Sequence, residues 1–234
     1  MVIYVDTAEL DQIASYARDT RVGGFTTNPT LMKKAGVTDY EDYARKASKA
    51  AMGKPISLEV IANTPDKIYR QAMKLASFGK NVVVKVPITN TLGVNLTPTI
   101  YQLAEQGVKV NVTAVTTVGQ LKSVLPARTW KHLAPFIVSL FIGRIADSGV
   151  HPTNFIIDCE YINFRRRTHT QLLWASVREP YNIMEAERFG FDIITVPPAI
   201  LEKAWEKKGA DMEAESLALV KQFYADAKAS GLKL

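Results

Sequence analysis

Short runs of valine, isoleucine and leucine recur along the chain, each giving way to a polar turn and then to apolar residues at helical spacing. Val2 to Asp6 reads as a strand, and Thr7-Ala-Glu-Leu-Asp-Gln12 opens a helix to about Asp19 with a hydroxyl cap and early acids. Gly23 to Pro29 reads as a second strand with polar residues at its end, and Pro29 stops it before a short helix and a longer one at about Asp39 to Met52. Pro55 to Ile61 is a third strand, and Pro65 stands at the first position of its helix. The series continues with strands at Asn81 to Pro87, Lys109 to Ala114, Ala134 to Phe141, Gln171 to Ser176 and Phe191 to Val196. Helices are predicted between them at about Thr97 to Gln106, Thr117 to Leu125, Thr153 to Arg166, Glu179 to Phe189 and Ala199 to Lys207. The connection after the sixth strand is long and contains Gly143, Gly149 and Pro152.

Strict alternation of strand and helix implies parallel strands with right-handed crossovers. Eight such units in 234 residues, with no linker or composition break, predict an α/β fold: one (β/α)8 TIM barrel over residues 1–234 with an additional C-terminal helix at about 212–229. A doubly wound open sheet is the alternative, but no Gly-x-Gly-x-x-Gly turn follows the first strand.

One residue breaks the apolar pattern. Lys85 sits in Asn81-Val-Val-Val-Lys-Val-Pro87, a run that reads as a buried strand. A buried ammonium costs several kcal/mol unless paired or deprotonated, and the deprotonated amine is the nucleophile of Schiff-base chemistry. The structural alternative is a lysine whose stem lines the sheet while its head reaches water. Barrel enzymes carry their chemistry on inward side chains at the C-terminal strand ends, which makes polar residues at alternate positions there informative. With period two, Asp6 is in phase with Tyr4, Asn28 with Thr26, Glu59 with Ser57, Lys85 with Val83, Thr113 with Asn111, Phe141 with Ser139, and Ser176 with Trp174. Seven strands thus direct such residues to one mouth, where a barrel filled for stability alone would carry valine, isoleucine and leucine. Taken singly, Asn28 before proline is also turn chemistry, and Thr113 or Ser139 could bond local backbone.

Composition narrows the chemistry. A net charge of +6 suits anionic partners, either nucleic acid or a phosphorylated metabolite. One cysteine, Cys159, and three dispersed histidines, His132, His151 and His169, offer neither an internal disulfide nor metal-ligand spacing, so no metal is expected. No run reaches a membrane span and the first residues lack a signal peptide's pattern, which predicts a cytoplasmic protein with no membrane partner. Nucleic-acid binding lacks the expected motifs and exposed aromatics interleaved with basic residues; Arg165-Arg-Arg167 reads as a solvated helix end.

Eight segments resemble the transaldolase family in order: Val5-Asp-Thr-Ala8, Phe25-Thr-Thr-Asn-Pro29, Ser57-Leu-Glu59, Val84-Lys-Val-Pro87, Asn111-Val-Thr113, Ser139-Leu-Phe-Ile-Gly-Arg-Ile145, Ala175-Ser-Val-Arg178 and Thr195-Val-Pro-Pro198. They span essentially the whole chain and resemble the compact bacterial and archaeal branch that includes the fructose 6-phosphate aldolases. The resemblance implies a cofactor-free transferase of the pentose phosphate pathway. Lys85 would form the Schiff base, Asp6 would handle the C4 hydroxyl proton, and Glu59 with Thr113 would position a proton-shuttling water. Asn28, Asn111 and Ser139, with Thr26 beside them, would hold the dihydroxyacetone unit, and Arg144, Ser176 and Arg178 the substrate phosphate. It also implies a ring-forming homo-oligomer, a pentamer or decamer, built with the C-terminal helix.

Departures qualify the substrate. Leu140 stands where the family usually has proline, and Trp174, where it has a small residue, would narrow the mouth. The aldolase branch typically carries glutamine at Glu59 and tyrosine at Phe141, so these two positions imply transfer to an acceptor aldehyde. Aldolase-type cleavage and a sulfonated ketose, whose oxyanion also suits arginine, are the alternatives.

Overall fold

The computed structural model describes residues 1–125, 136–166, 170–231 and 233. Eight parallel strands close in sequence order: β1 (Val2–Asp6), β2 (Val22–Thr26), β3 (Ile56–Glu59), β4 (Val82–Pro87), β5 (Val110–Val115), β6 (Phe136–Leu140), β7 (Gln171–Trp174) and β8 (Ile193–Val196), with β8 pairing back onto β1. The described helices are α1 (Leu10–Ala17), α2 (Pro29–Lys34), α3 (Tyr40–Ala50), α4 (Pro65–Ala76), α5 (Thr97–Glu105), α6 (Val118–Val124), α7 (Ile142–Asp147), α8 (Thr153–Arg166), α9 (Tyr181–Arg188), α10 (Pro198–Lys207) and α11 (Met212–Ala229). The fold is the expected (β/α)8 TIM barrel, with the C-terminal helix at the expected residues.

The strands are apolar on their outward positions because the helices cover that face. Val5, Phe25, Leu58, Val84, Val112, Val138 and Ile194 are completely buried, as are Ile13, Ile68, Ile100 and Leu121 on the helices around them. Inward positions alternate with these and change character along the barrel. A cluster of Tyr4, Val83, Ile137, Leu173, Ala175 and Ile193 fills the interior, with Phe141 packed against it. Gly24 leaves room for this packing: a Cβ there would meet the Tyr4 ring at 2.6 Å and the Pro55 carbonyl at 2.9 Å.

The chain divides into two compact units, Met1–Leu201 and Glu202–Leu234. The first holds the barrel and its pocket. In the second, Lys207 pairs with Glu215 at 2.7 Å, and α11 has no buried residue.

Three expectations change. Thr7 does not cap α1: the N-cap is Glu9, while the Thr7 hydroxyl accepts from the Glu9 N–H and donates to Gln12 Oε1. The connection after β6 contains α7, a six-residue helix whose glycine and short length hid it. Trp174 does not enter the mouth. Parallel pairing sets Leu173 level with Ile193 and Ser139, whereas Trp174 is level with Leu140 and Ile194, and this second row faces outward. Trp174 is 1% exposed and packs edge-on against Phe191 at 5.1 Å between ring centres. Leu140, beside it across the β6–β7 pair, is fully buried on the same outward face.

Candidate active site

A pocket of about 440 Å³ opens at the C-terminal ends of the strands. It is lined by residues from all eight: Asp6, Thr26, Glu59, Lys85, Thr113, Ser139 and Thr195 within the strands, with Ala175 and Ser176 following β7. Asn28, Phe141, Arg144 and Arg178 complete its walls.

Lys85 is 6% exposed on the pocket floor. Its burial is compensated: the Nζ lies 2.9 Å from Glu59 Oε2 and donates to the Thr27 carbonyl at 3.1 Å. The register places Glu59 directly beside Lys85, so the ion pair follows from strand pairing. The Tyr40 hydroxyl donates to the Glu59 backbone carbonyl at 2.7 Å and ties down that strand end. A charge-assisted contact of this length permits proton exchange between amine and carboxylate.

Asp6 faces the same floor. Burial pushes its carboxyl above the usual carboxylate range and the negative charge of Glu59 adds to that, while the Lys85 charge and the hydrogen bond from Thr26 pull the other way. The Thr26 hydroxyl donates to Asp6 Oδ1 at 2.7 Å and lies 2.5 Å from Thr195 Oγ1. The single proton of Thr26 is therefore directed to Asp6, while Thr26 also lines the pocket.

Among the described residues Thr113 Oγ1 is buried with no hydrogen-bond partner, leaving a hydroxyl for a pocket occupant. Its position depends on a bulge. The β5–β6 register shifts between Val112 and Val115, and Ala114 takes φ of 62°. Ser176 likewise takes φ of 67°, which turns the chain out of β7 and breaks the alternation that tied it to Trp174. Strained non-glycine residues at two strand ends of one pocket fit the concentration of such strain at functional sites.

Asn28 fulfils both readings of its residue type. Its side chain accepts from the Leu31 N–H at 3.0 Å as the cap of α2, and it lines the pocket. Asn111 lies beneath the pocket lining and is completely buried; its Nδ2 donates to Ser57 Oγ at 3.1 Å and its Oδ1 accepts from Ser139 Oγ at 2.7 Å. It orients Ser139 from below.

At the rim, Arg178 grips Asp147 through Nε to Oδ1 at 3.0 Å and Nη2 to Oδ2 at 2.6 Å, and this guanidinium holds the Asp147 carboxyl below its usual range. Both side chains are 44% exposed, so the pair stays accessible to an anion. Arg144 projects from α7 with no side-chain hydrogen bond among the described residues. The approach of α7 to the Ser176 carbonyl is so close that only glycine fits at position 143.

Thr195 is a pocket-lining strand residue that the period-two reading left out: it stands alone among apolar residues in β8 and before its end, so no polar strand-end residue drew attention to it. The side chains of Arg165, Arg166 and Arg167 lie outside the described residues, as do His132 and His169. Among the described residues no group of three or more histidine, cysteine or acidic side chains is arranged to hold a metal ion.

A closed parallel barrel with its polar side chains converging at the C-terminal mouth is the architecture of barrel enzymes. Residues 3–233 match the Transaldolase/Fructose-6-phosphate aldolase family, and the chain belongs to it. A probable transaldolase from Roseiflexus sp. (strain RS-1) is 36% identical over 229 residues, 98% of each chain. One from Ruegeria sp. (strain TM1040) is 34% identical over 234 residues, the whole of both. In fold alone, the chain resembles 3-hexulose-6-phosphate synthase from Salmonella typhimurium, with TM-score 0.58, 14% identity and coverage of 86% of this chain and 91% of that one.

Proposed function

We propose that this protein is a transaldolase that moves a dihydroxyacetone unit from a ketose phosphate, fructose 6-phosphate or sedoheptulose 7-phosphate, to an aldose phosphate through a Schiff base on Lys85. The observation that carries this reading is the buried Lys85 amine 2.9 Å from Glu59, on the floor of the pocket that Asp6 also lines.

In the proposed cycle Lys85 passes a proton to Glu59 and its neutral amine adds to the C2 carbonyl. Loss of water, with Glu59 and the Thr113 hydroxyl serving the proton transfers, gives the iminium. Asp6 takes the C4 hydroxyl proton as the C3–C4 bond breaks; the bonding electrons flow into the iminium to form an enamine, and the aldose phosphate leaves. The acceptor aldehyde then reacts in reverse, Asp6 returns its proton to the new hydroxyl, and water releases the product from Lys85. Asn28 and Ser139 would bind the dihydroxyacetone hydroxyls, with Asn111 acting through Ser139. Arg144, Ser176 and Arg178 would receive the phosphate, Arg178 exchanging part of its grip on Asp147 for it. Every step is acid–base or carbonyl chemistry that side chains perform. A cytoplasmic homo-oligomer, pentamer or decamer, forms part of the proposal. It is supported by α11, where Leu217, Val220, Phe223 and Tyr224 are all more than half exposed. No described helix is long and apolar enough to cross a membrane.

The test is borohydride reduction in the presence of fructose 6-phosphate, followed by mass mapping. An adduct on Lys85 is expected; an adduct on another lysine, or none with any ketose phosphate, would refute the mechanism. Turnover with and without erythrose 4-phosphate separates transfer from the family's other named activity. Sedoheptulose 7-phosphate should form with the acceptor, and rapid acceptor-independent release of dihydroxyacetone would assign the protein to the aldolases.

A further inference from the structure

Asp6, Thr26 and Thr195 form a continuous chain across three adjacent strands, β8, β1 and β2, inside the barrel. The spacings are 2.7 Å from Thr26 to Asp6 and 2.5 Å between the two threonine hydroxyls. Thr26 and Thr195 are 1% and 6% exposed, so bulk water does not substitute for either contact. The direction of the chain follows from proton counting. An ionised carboxylate only accepts, so Thr26 gives its one proton to Asp6, and Thr195 must donate to Thr26. Thr195 is thus the donor that leaves Thr26 fully available to Asp6.

We propose that Thr195 is a positioning residue for Asp6 that acts through Thr26, and that Thr26 belongs to this chain rather than to the substrate contacts. The proposal rests on the reading of Asp6 as the group that takes and returns the C4 hydroxyl proton. That role requires Asp6 to be held in one orientation in both of its protonation states. Two linked hydroxyls accomplish this because each can donate or accept. With Asp6 ionised the order runs Thr195 to Thr26 to Asp6; with Asp6 protonated on the same oxygen it reverses, and Asp6 keeps a hydrogen-bonded partner throughout. A fixed backbone N–H would serve the ionised state only, and an apolar neighbour neither. Linked hydrogen bonds also strengthen one another in a low-dielectric interior, which stabilises the carboxylate against the burial that raises its pKa.

The other groups facing Asp6 are Lys85 on β4, Glu59 on β3 and Tyr4 on its own strand, and the substitutions below leave them intact. Thr195→Val keeps the volume and removes the donor. Isotope-edited infrared titration of the full-length protein, with the Asp6 band identified by its loss in Asp6→Asn, reads the Asp6 pKa without any substrate. Thr195→Val should lower the Asp6 acid dissociation constant about threefold, Thr26→Val should lower it further, and the double variant should match Thr26→Val. In turnover, Thr195→Val should lose about tenfold in kcat with little change in KM, about one hydrogen bond's worth, and Thr195→Ser should restore it. If the valine variant does not fold, Thr195→Cys, a weak donor of similar volume, makes the same comparison. An unchanged Asp6 titration in Thr195→Val, or full additivity with Thr26→Val, would overturn the proposal. Failure of the borohydride adduct in the wild type would instead defeat the reaction scheme and leave the titration result standing on its own.

Discussion

Alanine at position 143 tests the junction that holds the rim of the pocket together. Gly143 and Gly119 both lie in helices, α7 and α6, and neither has a positive φ. On helix propensity alone, alanine at either position should stabilise by about 0.5–1 kcal/mol. Their surroundings differ sharply. A Cβ at 119 meets only Thr117 Oγ1 at 3.9 Å, whereas at 143 it would fall within the Ser176 carbonyl oxygen and lie 2.9 Å from the carbonyl carbon. That neighbour is backbone, so no rotamer change relieves the clash; either α7 or the segment after β7 must move. Overpacking of this kind costs about 1–3 kcal/mol, and the rigid partner puts Gly143→Ala at the upper end, with the propensity gain offsetting a part. A net loss of about 2 kcal/mol should lower the melting temperature by roughly 4–8 °C in a protein of this size, while Gly119→Ala should leave it level or raise it. Because α7 carries Arg144 and the β7 segment carries Ser176 and Arg178, the displacement should also raise KM for phosphorylated sugars more than it lowers kcat. Calorimetry or denaturant unfolding, with steady-state kinetics on the same preparations, checks both. Equal stability of the two variants with unchanged KM would refute the assignment of this contact as the brace of the rim.

Phe141 lines the pocket without a hydroxyl, so Phe141→Tyr should increase acceptor-independent release of dihydroxyacetone roughly tenfold relative to transfer, read by coupled assay with and without erythrose 4-phosphate. Burial, reinforced by Asp192, pushes the Glu160 carboxyl up to about 7, and its Oε1 is buried without a hydrogen-bond partner among the described residues. The folded state therefore favours neutral Glu160; stability from this group is complete below the ordinary glutamate value and falls as pH rises through 7. Glu160→Gln should remove that fall and stabilise the protein at pH 8 by about 1 kcal/mol, after allowance for partial solvent screening, measured by urea unfolding at pH 5 and pH 8. Light scattering at micromolar concentration should give a multiple of the chain mass and Phe223→Glu should reduce it; a wild-type monomer would defeat the oligomer proposal.

The barrel was legible because its two periodicities are carried by different residues. Buried parallel strands need apolar side chains outward, against the helices, and this leaves the inward strand ends as the place where Lys85, Glu59 and Asp6 stand out. The projection failed wherever the backbone left the ideal strand. Counting back by twos from Ser176 reaches Trp174 only if the alternation is unbroken, and the positive φ of Ser176 breaks it, so a bulky residue expected to narrow the mouth lies with Leu140 on the outer face. The unusual residues at these two positions thus concern how β6 and β7 pack outward, whereas Phe141, Ser176 and the two arginines line the pocket. Depth along the barrel was hidden as well. Asn111 and Thr113 share a phase, but one lies under Ser139 while the other reaches the pocket from within the stretch where the β5–β6 register shifts, and period alone assigns no level. Thr195 escaped for the complementary reason: a single threonine in an apolar strand reads as packing until its hydroxyl is found on that of Thr26. Phase in a strand tells which residues face one another, whereas the work each performs depends on which protons its neighbours have already claimed.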